Sequence, residues 1–353
     1  MPATSTDAGR VVNCAAGMSN IYVPSLTRLL KLKLHFSLDD ALIVAIAIPM
    51  FWISVIIAPY HVHGDQVHYT KAYNAMRDLD LADAFHAYRR IIFSFEPIHF
   101  FVSWVFSNLG FDKTFVMAAL NGLLAALFGR FLLGRTKSYF IVVMLVFSNP
   151  YLYATFFTLE KLKVSMIFLL LFLNYRVKLF GILAVFAHLQ VGLLMGIYLA
   201  SRYLSRLRFS AFRKLLHSRN ILRIVISALI AVGGALMFYD YAFKKIIFYM
   251  SREGVGSLLA LVPTLVIFIL TFITTNQSRK EVAWYFTILA AVIFFIGGDR
   301  VNMFVFFGFL YFTSYRLHTS INGMVFLSAI LLSAVYLGYK SYRYLDMVVN
   351  TGG

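Results

Sequence analysis

Charge and cysteine are what this sequence has least of. Only 13% of its 353 residues are charged, about half the roughly 25% of an ordinary soluble domain, which excludes a conventional water-soluble surface. Cys14 is the one cysteine, so an intrachain disulfide and a cysteine-based metal site are both excluded. Acids number 15 against 32 lysines and arginines. There is no internal repeat, no low-complexity tract, and none of the strict alternation that marks the strands of a membrane barrel.

What is present is apolar. Hydrophobic residues make up 61% of the chain and aromatics 17%, with a mean hydropathy of +0.79. Runs such as ALIVAIAIPMFWISVIIAPY at 41–60 and ILRIVISALIAVGGALMFYD at 221–240 approach the roughly 20 residues that cross a hydrocarbon core as helix. Further runs fall near 113–134, 138–157, 162–175, 178–200, 257–275, 282–297, 301–316 and 321–339. The pattern predicts an all-α polytopic membrane protein with about nine to eleven transmembrane helices. Residues 1–40 read as a cytoplasmic N-terminal segment without a signal cleavage site, 41–340 as one membrane-embedded domain, and 341–353 as a tail.

The net charge of +17 does not indicate nucleic acid, because the basic residues lie between apolar runs and not on one solvated domain. The 202–223 loop carries Arg202, Arg206, Arg208, Arg213, Lys214, Arg219 and Arg223 with no acid, which the positive-inside rule assigns to the cytoplasm. Two topologies then remain. In one, every run spans, including the short PIHFFVSWVFSNLG at 97–110, and Arg130, Arg135, Lys137, Arg176 and Lys178 fall outside. In the other, 97–110 lies along the outer surface and 178–200 enters and folds back near His188, which returns all five cations to the cytoplasm and obeys the charge rule better. Either way 61–96 is external, and in the second topology 61–112 is one external loop with juxtamembrane, amphipathic helices.

An ionisable residue in an apolar span costs about 2.5–3.5 kcal/mol, so each needs a reason. Four places stand out. In HVHGDQVHY at 61–69, His61, His63 and Asp65 imitate part of a zinc-hydrolase signature, but the signature's last histidine is Gln66 and no second ligand set accompanies it, so no metal and no cofactor is expected. Asp65, Tyr69 and Tyr73 instead share one helical face: either a helix N-terminus with interfacial tyrosines, or a carboxylate base beside rings that stack on sugar. Glu96-Pro97 reads either as ordinary helix-initiation chemistry or as a second outward carboxylate. TLEKLK at 158–163 is followed by His188 and Gln190; Glu160 and Lys163 could simply pair at i, i+3, yet this is more polar chemistry than a short apolar segment needs. Finally GGDR at 297–300 places Arg300, whose fork suits phosphate, at a membrane boundary.

In order and spacing these residues resemble the EpsG or Wzy-like polysaccharide polymerases over roughly 40–316: Asp65 with Tyr69, Glu96-Pro97 opening a helix that ends at Leu109-Gly110, Lys161, His188 and Arg300. Lys161 and Leu162 stand where that family usually has Arg-Gln, a departure that keeps the charge but loses the fork. The resemblance implies a GT-C-like glycosyltransferase of the bacterial inner membrane, working on the periplasmic face. It would move a growing glycan from undecaprenyl diphosphate to a sugar hydroxyl of the next lipid-linked unit, among membrane lipids and alongside a chain-length regulator and flippase of the same pathway. By this expectation Asp65 or Glu96 is the base, with His188 handling protons. Lys161, Lys163 and Arg300 bind diphosphate, and Tyr69, Tyr73, Glu160 and Gln190 hold sugar. Two alternatives stay open: a GT-C enzyme adding one sugar from a polyprenyl-phosphate donor, and a lipid-glycan transporter or flippase, which would be expected to carry symmetry-related broken helices at the midplane.

Overall fold

The computed structural model describes residues 37–60, 65–94, 96–136, 138–206, 258–275, 277–296 and 298–313, with isolated positions between 335 and 346. Every regular element among them is helical. We number the α-helices α1 (Leu38–Ile57), α2 (Asp65–Ala75), α3 (Leu81–Ile92), α4 (Pro97–Asn108), α5 (Lys113–Thr136), α6 (Tyr139–Phe147), α7 (Pro150–Phe157), α8 (Glu160–Tyr175), α9 (Lys178–Ala187), α10 (Leu189–Arg206), α11 (Leu258–Thr274), α12 (Arg279–Ile296) and α13 (Gly298–Thr313).

Two stretches among the described residues are long and apolar enough to cross a membrane: α1 with the 3-10 turn that extends it to Tyr60, and α5. The count becomes three if α6 and α7, bent by 56° at their break, form one span. The nine to eleven spans expected from the apolar runs are therefore seen only in this coarser form. Several runs are realised as helices too short to cross alone. The break in 138–157 has a local cause: Asn149 accepts from Tyr151 and Leu152 backbone N–H groups and Pro150 opens α7, which is N-cap chemistry planted inside an apolar run. On α1, Val44, Ile48, Trp52 and Ile56 form an exposed i, i+4 stripe, the face such a helix offers to lipid.

Short elements gather at one end. The stretch expected to be the external loop forms α2, α3 and α4, packed on Ala72, Met76, Ala84, Tyr88 and Phe100. Their backbones are stitched by side chains: Ser107 Oγ donates to the Tyr73 carbonyl at 2.6 Å, Asn108 Nδ2 to that of Met76 at 3.1 Å and Trp104 Nε1 to that of Leu79 at 3.0 Å. Asp80 caps α3. Gly110, at φ +77, supplies the left-handed residue that ends the α4 segment and turns the chain toward α5.

Helices α5 and α8 run parallel, with Lys113 beside Glu160 at one end and the Arg130 guanidinium over the Tyr175 ring at the other. Helix α9 returns along α8, Ser165 Oγ donating to the Ala184 carbonyl. The chain then reverses at His188: a Cβ placed on Gly181 would touch Met195, and one on Gly192 would crowd Val185. The 178–200 segment is thus a hairpin turned at His188, as in the second of the two topologies. Its tip stands level with Lys161, while Arg176 and Arg202 border one cavity at the opposite end. Gly122 packs against the Ala47 carbonyl, which a Cβ would meet at 3.1 Å, and lets α1 and α5 approach closely.

Candidate functional site

Three of the four places singled out in the sequence concern one end of this bundle, and the structure joins two of them. Pro97 at the first position of α4 leaves Glu96 in extended backbone, and the Glu96 side chain makes no cap bond to its own helix. It turns inward, 5% exposed. One carboxylate oxygen accepts from Ser94 Oγ at 2.5 Å and from Lys161 Nζ at 2.7 Å. The other meets His188 Nδ1. Three helix ends therefore converge on one carboxylate: the start of α4, the first turn of α8 and the break between α9 and α10.

Beyond His188 the chain of contacts continues. Its Nε2 lies 3.1 Å from Gln190 Oε1. A carboxylate at Nδ1 requires an N–H there, which leaves Nε2 as the proton-exchanging atom. Gln190 can turn either its oxygen or its amide nitrogen to that atom, so the ring is served in both protonation states.

Neighbouring groups were not evident in the sequence. Lys113, at the start of α5, bonds Glu160 at 2.8 Å, Thr70 Oγ1 at 3.0 Å and Gln66 Oε1 at 3.3 Å. The Glu160–Lys163 pairing that the i, i+3 spacing allowed as the plain alternative is not what forms; Glu160 pairs with Lys113 instead. Gln66 donates to the Phe157 and Thr158 carbonyls at 2.9 and 3.3 Å, satisfying the terminal carbonyls of α7; the residue that spoiled the zinc pattern is a helix-end cap. His99 is buried, with Nδ1 2.9 Å from Tyr88 Oη and no partner for Nε2. Burial first, and then the Lys161 ammonium, push its pKa from 6.5 down to about 3, so it stays neutral. A lone histidine in PIHFF is unremarkable in sequence; the i, i+3 spacing from Glu96 was the available signal.

Tyr69 is buried between the two lysines, with Lys113 Nζ 5.9 Å and Lys161 Nζ 6.0 Å from its ring centroid, a cation–π geometry. Tyr73 is committed elsewhere: its hydroxyl donates to the Phe111 carbonyl at 3.0 Å, and burial raises its pKa to about 12. Asp65 opens α2 as an exposed residue; Tyr69 and Tyr73 on the same helix are buried. Arg300 lies in the first turn of α13. Thr155 reaches Met303 at 3.7 Å and the Tyr151 ring stands 5.6 Å from that of Phe306, a register that puts the Arg300 backbone level with Thr158. Its side chain lies outside the described residues, as do His61 and His63. Among the described residues no three potential metal ligands gather.

Beside the cluster lies a cavity of about 520 Å³ between α1, α2, α5, α7 and α8. Lys71, Arg77, Lys113 and Lys163 line it against only two acids, Asp112 and Glu160. Lys163 is 1% exposed, its ammonium contacting Met117 Sδ at 3.8 Å. Asn121 donates to Ser54 Oγ at 2.9 Å, and its buried Oδ1, on the same cavity, has no partner. A cavity with surplus cations and an unsatisfied acceptor is suited to a polar anionic ligand. No family model, curated protein or solved structure matches the chain.

Proposed function

We propose that this protein is a membrane glycosyltransferase that polymerises polyprenyl-diphosphate-linked oligosaccharides, with the Glu96–His188 pair as its proton-handling unit. The observation that carries the reading is the adjacency of that buried pair to a cation-lined cavity, with Lys113 and Glu160 standing between them. The resemblance in residue order described above supplies the reaction class. In this reading Lys113 and Lys163 neutralise the diphosphate, helped by Lys71 and Arg77 on the same cavity. Lys161 fixes the Glu96 carboxylate.

The chemistry then balances simply. The acceptor hydroxyl attacks the anomeric carbon of the donor, a new C–O bond forms, and the bond from that carbon to the diphosphate oxygen breaks with its electron pair. The hydroxyl proton passes to His188 Nε2, and the Glu96 carboxylate stabilises the imidazolium. The leaving diphosphate is a good one already, so the enzyme's work is charge neutralisation and proton removal. Asn121 Oδ1 accepts from a sugar hydroxyl, and the buried Tyr69 ring positions the Lys113 and Lys161 ammoniums beside it. Asp65, exposed at the head of α2, contacts sugar at the outer surface and is not the base.

The test is turnover by purified protein in detergent with a polyprenyl-diphosphate-linked oligosaccharide, with and without chelator. A ladder of repeat masses is expected, lost by about 10²-fold or more in His188→Asn and Lys163→Met proteins that still melt normally. A single added sugar would reassign the reaction to one-step transfer. Undiminished ladders in both variants would sink the site assignment.

A further inference from the structure

The opposite end of α5 and α8, about 26 Å from Lys113 at 1.5 Å per residue, carries a second pair of cavities that the glycosyl-transfer reading does not use. One, of about 530 Å³, is lined by Arg130, Arg135 and Arg176 with Asn174 and Gln277. The other, of about 290 Å³, is walled mainly by aromatic and aliphatic side chains of α5, α8, α10 and α13, with Arg202 as a further cation. The two share Phe131, Leu173, Arg176 and Tyr311. Among the described residues no aspartate or glutamate lines either, and Glu281 stands within electrostatic reach of Arg202.

We propose that this pair of cavities is a binding site for a phosphate-bearing lipid, its headgroup held among Arg130, Arg135 and Arg176 and one of its chains in the adjoining apolar cavity. The charge balance is the first argument: three guanidiniums border one space whose described lining holds no acid, a local surplus of positive charge that favours an anion. Preorganisation is the second. Arg135 donates to the Tyr311 carbonyl at 2.6 Å and lies 4.1 and 4.5 Å from the Phe131 and Tyr311 ring centroids, which fixes its fork. Arg176 holds a left-handed backbone, φ 61, at the turn between α8 and α9. Arg130 has a 3.5 Å contact with the half-exposed Asp40 carboxylate, a weak pair that a phosphate can outcompete. The third argument separates lipid from free phosphate, because only an amphiphile uses the apolar cavity as well as the arginines.

Native mass spectrometry of the detergent-purified full chain tests this with equimolar dioleoyl phosphatidic acid and dioleoyl phosphatidylcholine. The wild type is expected to retain phosphatidic acid about tenfold over phosphatidylcholine. Arg130→Gln/Arg176→Gln, which leaves the braced Arg135 in place, should erase that preference. Met166→Trp, which fills the apolar cavity, should reduce adducts of both lipids. Equal retention of the two lipids by the wild type, or an unchanged preference in the double variant, overturns the site. Displacement of phosphatidic acid by millimolar inorganic phosphate shows a bare phosphate site and overturns the lipid assignment. The readout is lipid retention and not turnover, so its failure leaves the reading of the other end untouched.

Discussion

The two ends of α5 and α8 hold cations under opposite conditions. At one end Lys161 is buried and Lys113 partly so, and each sits within 3 Å of a buried carboxylate, at 2.7 Å from Glu96 and 2.8 Å from Glu160. At the other, Arg130, Arg135 and Arg176 border a space with no acid among its described lining residues and meet rings, a backbone carbonyl and the half-exposed Asp40. Desolvation explains the difference in residue type. A buried ammonium is stabilised by a matched carboxylate, whereas a guanidinium is weakly hydrated, stacks on rings and stays charged. Lys113 and Lys161 are thus compensated from within the chain, with Lys163, which contacts Met117 Sδ, as the exception at that end; the arginines meet rings, a backbone carbonyl and one half-exposed carboxylate.

The largest effect that would break this contrast is at Glu96. Glu96→Ala removes the partner of a buried lysine and histidine together and is expected to cost about 3–5 kcal/mol. Arg176→Ala, which breaks no hydrogen bond or ion pair described here, should shift stability by about 0.5 kcal/mol or less. Denaturant or thermal melts in one detergent measure both. A Glu96→Leu/Lys161→Leu double variant should regain most of the loss, since paired apolar residues replace a buried ion pair at little cost. Equal losses from Glu96→Ala and Arg176→Ala would erase the distinction between the ends.

How far the sequence shows this arrangement varies by residue. Glu96, Lys161, His188 and Gln190 each stood out as polar groups in apolar surroundings, and they meet. Their meeting was not visible because a separation of 92 positions between Glu96 and His188 leaves no periodicity to read; only the reversal at His188, itself suggested by charge placement, brings the ring to the carboxylate. Lys113 and His99 escaped notice because a lysine opening a long helix and a histidine in a short one are locally ordinary. Asp65 attracted attention through a motif, yet burial selected Tyr69 and Gln66 from the same stretch. The arginine end was legible only as a topology signal, since cavities shared between α5, α8, α10 and α13 depend on long-range packing.

An intermediate effect should appear with pH at the paired end. The folded pKa of His99, about 3, lies below its ordinary value of 6.5, so between these values the unfolded chain binds more protons than the folded one. Its contribution to stability is therefore full above about 6.5 and falls progressively as pH drops toward about 3. His99→Leu should flatten the fall over that window in melting curves taken from pH 7 to pH 4. A slope unchanged by the substitution would mean that another group carries the acid sensitivity.

The smallest effect sharpens the comparison from the arginine side. Asp40 and Arg130 are in contact at 3.5 Å, but their side chains are 36% and 48% exposed, so solvent screens the attraction and the pair is expected to contribute about 0.2–1 kcal/mol. Asp40→Asn should lower stability by no more than that. In about 1 M salt, where the screening length is about 3 Å, the difference should vanish. The Glu96–Lys161 pair, sealed from solvent, should keep nearly all of its effect in the same buffer. If salt instead weakens the Glu96→Ala penalty as strongly as the Asp40→Asn one, water reaches the Glu96 cluster and the two ends share one electrostatic regime.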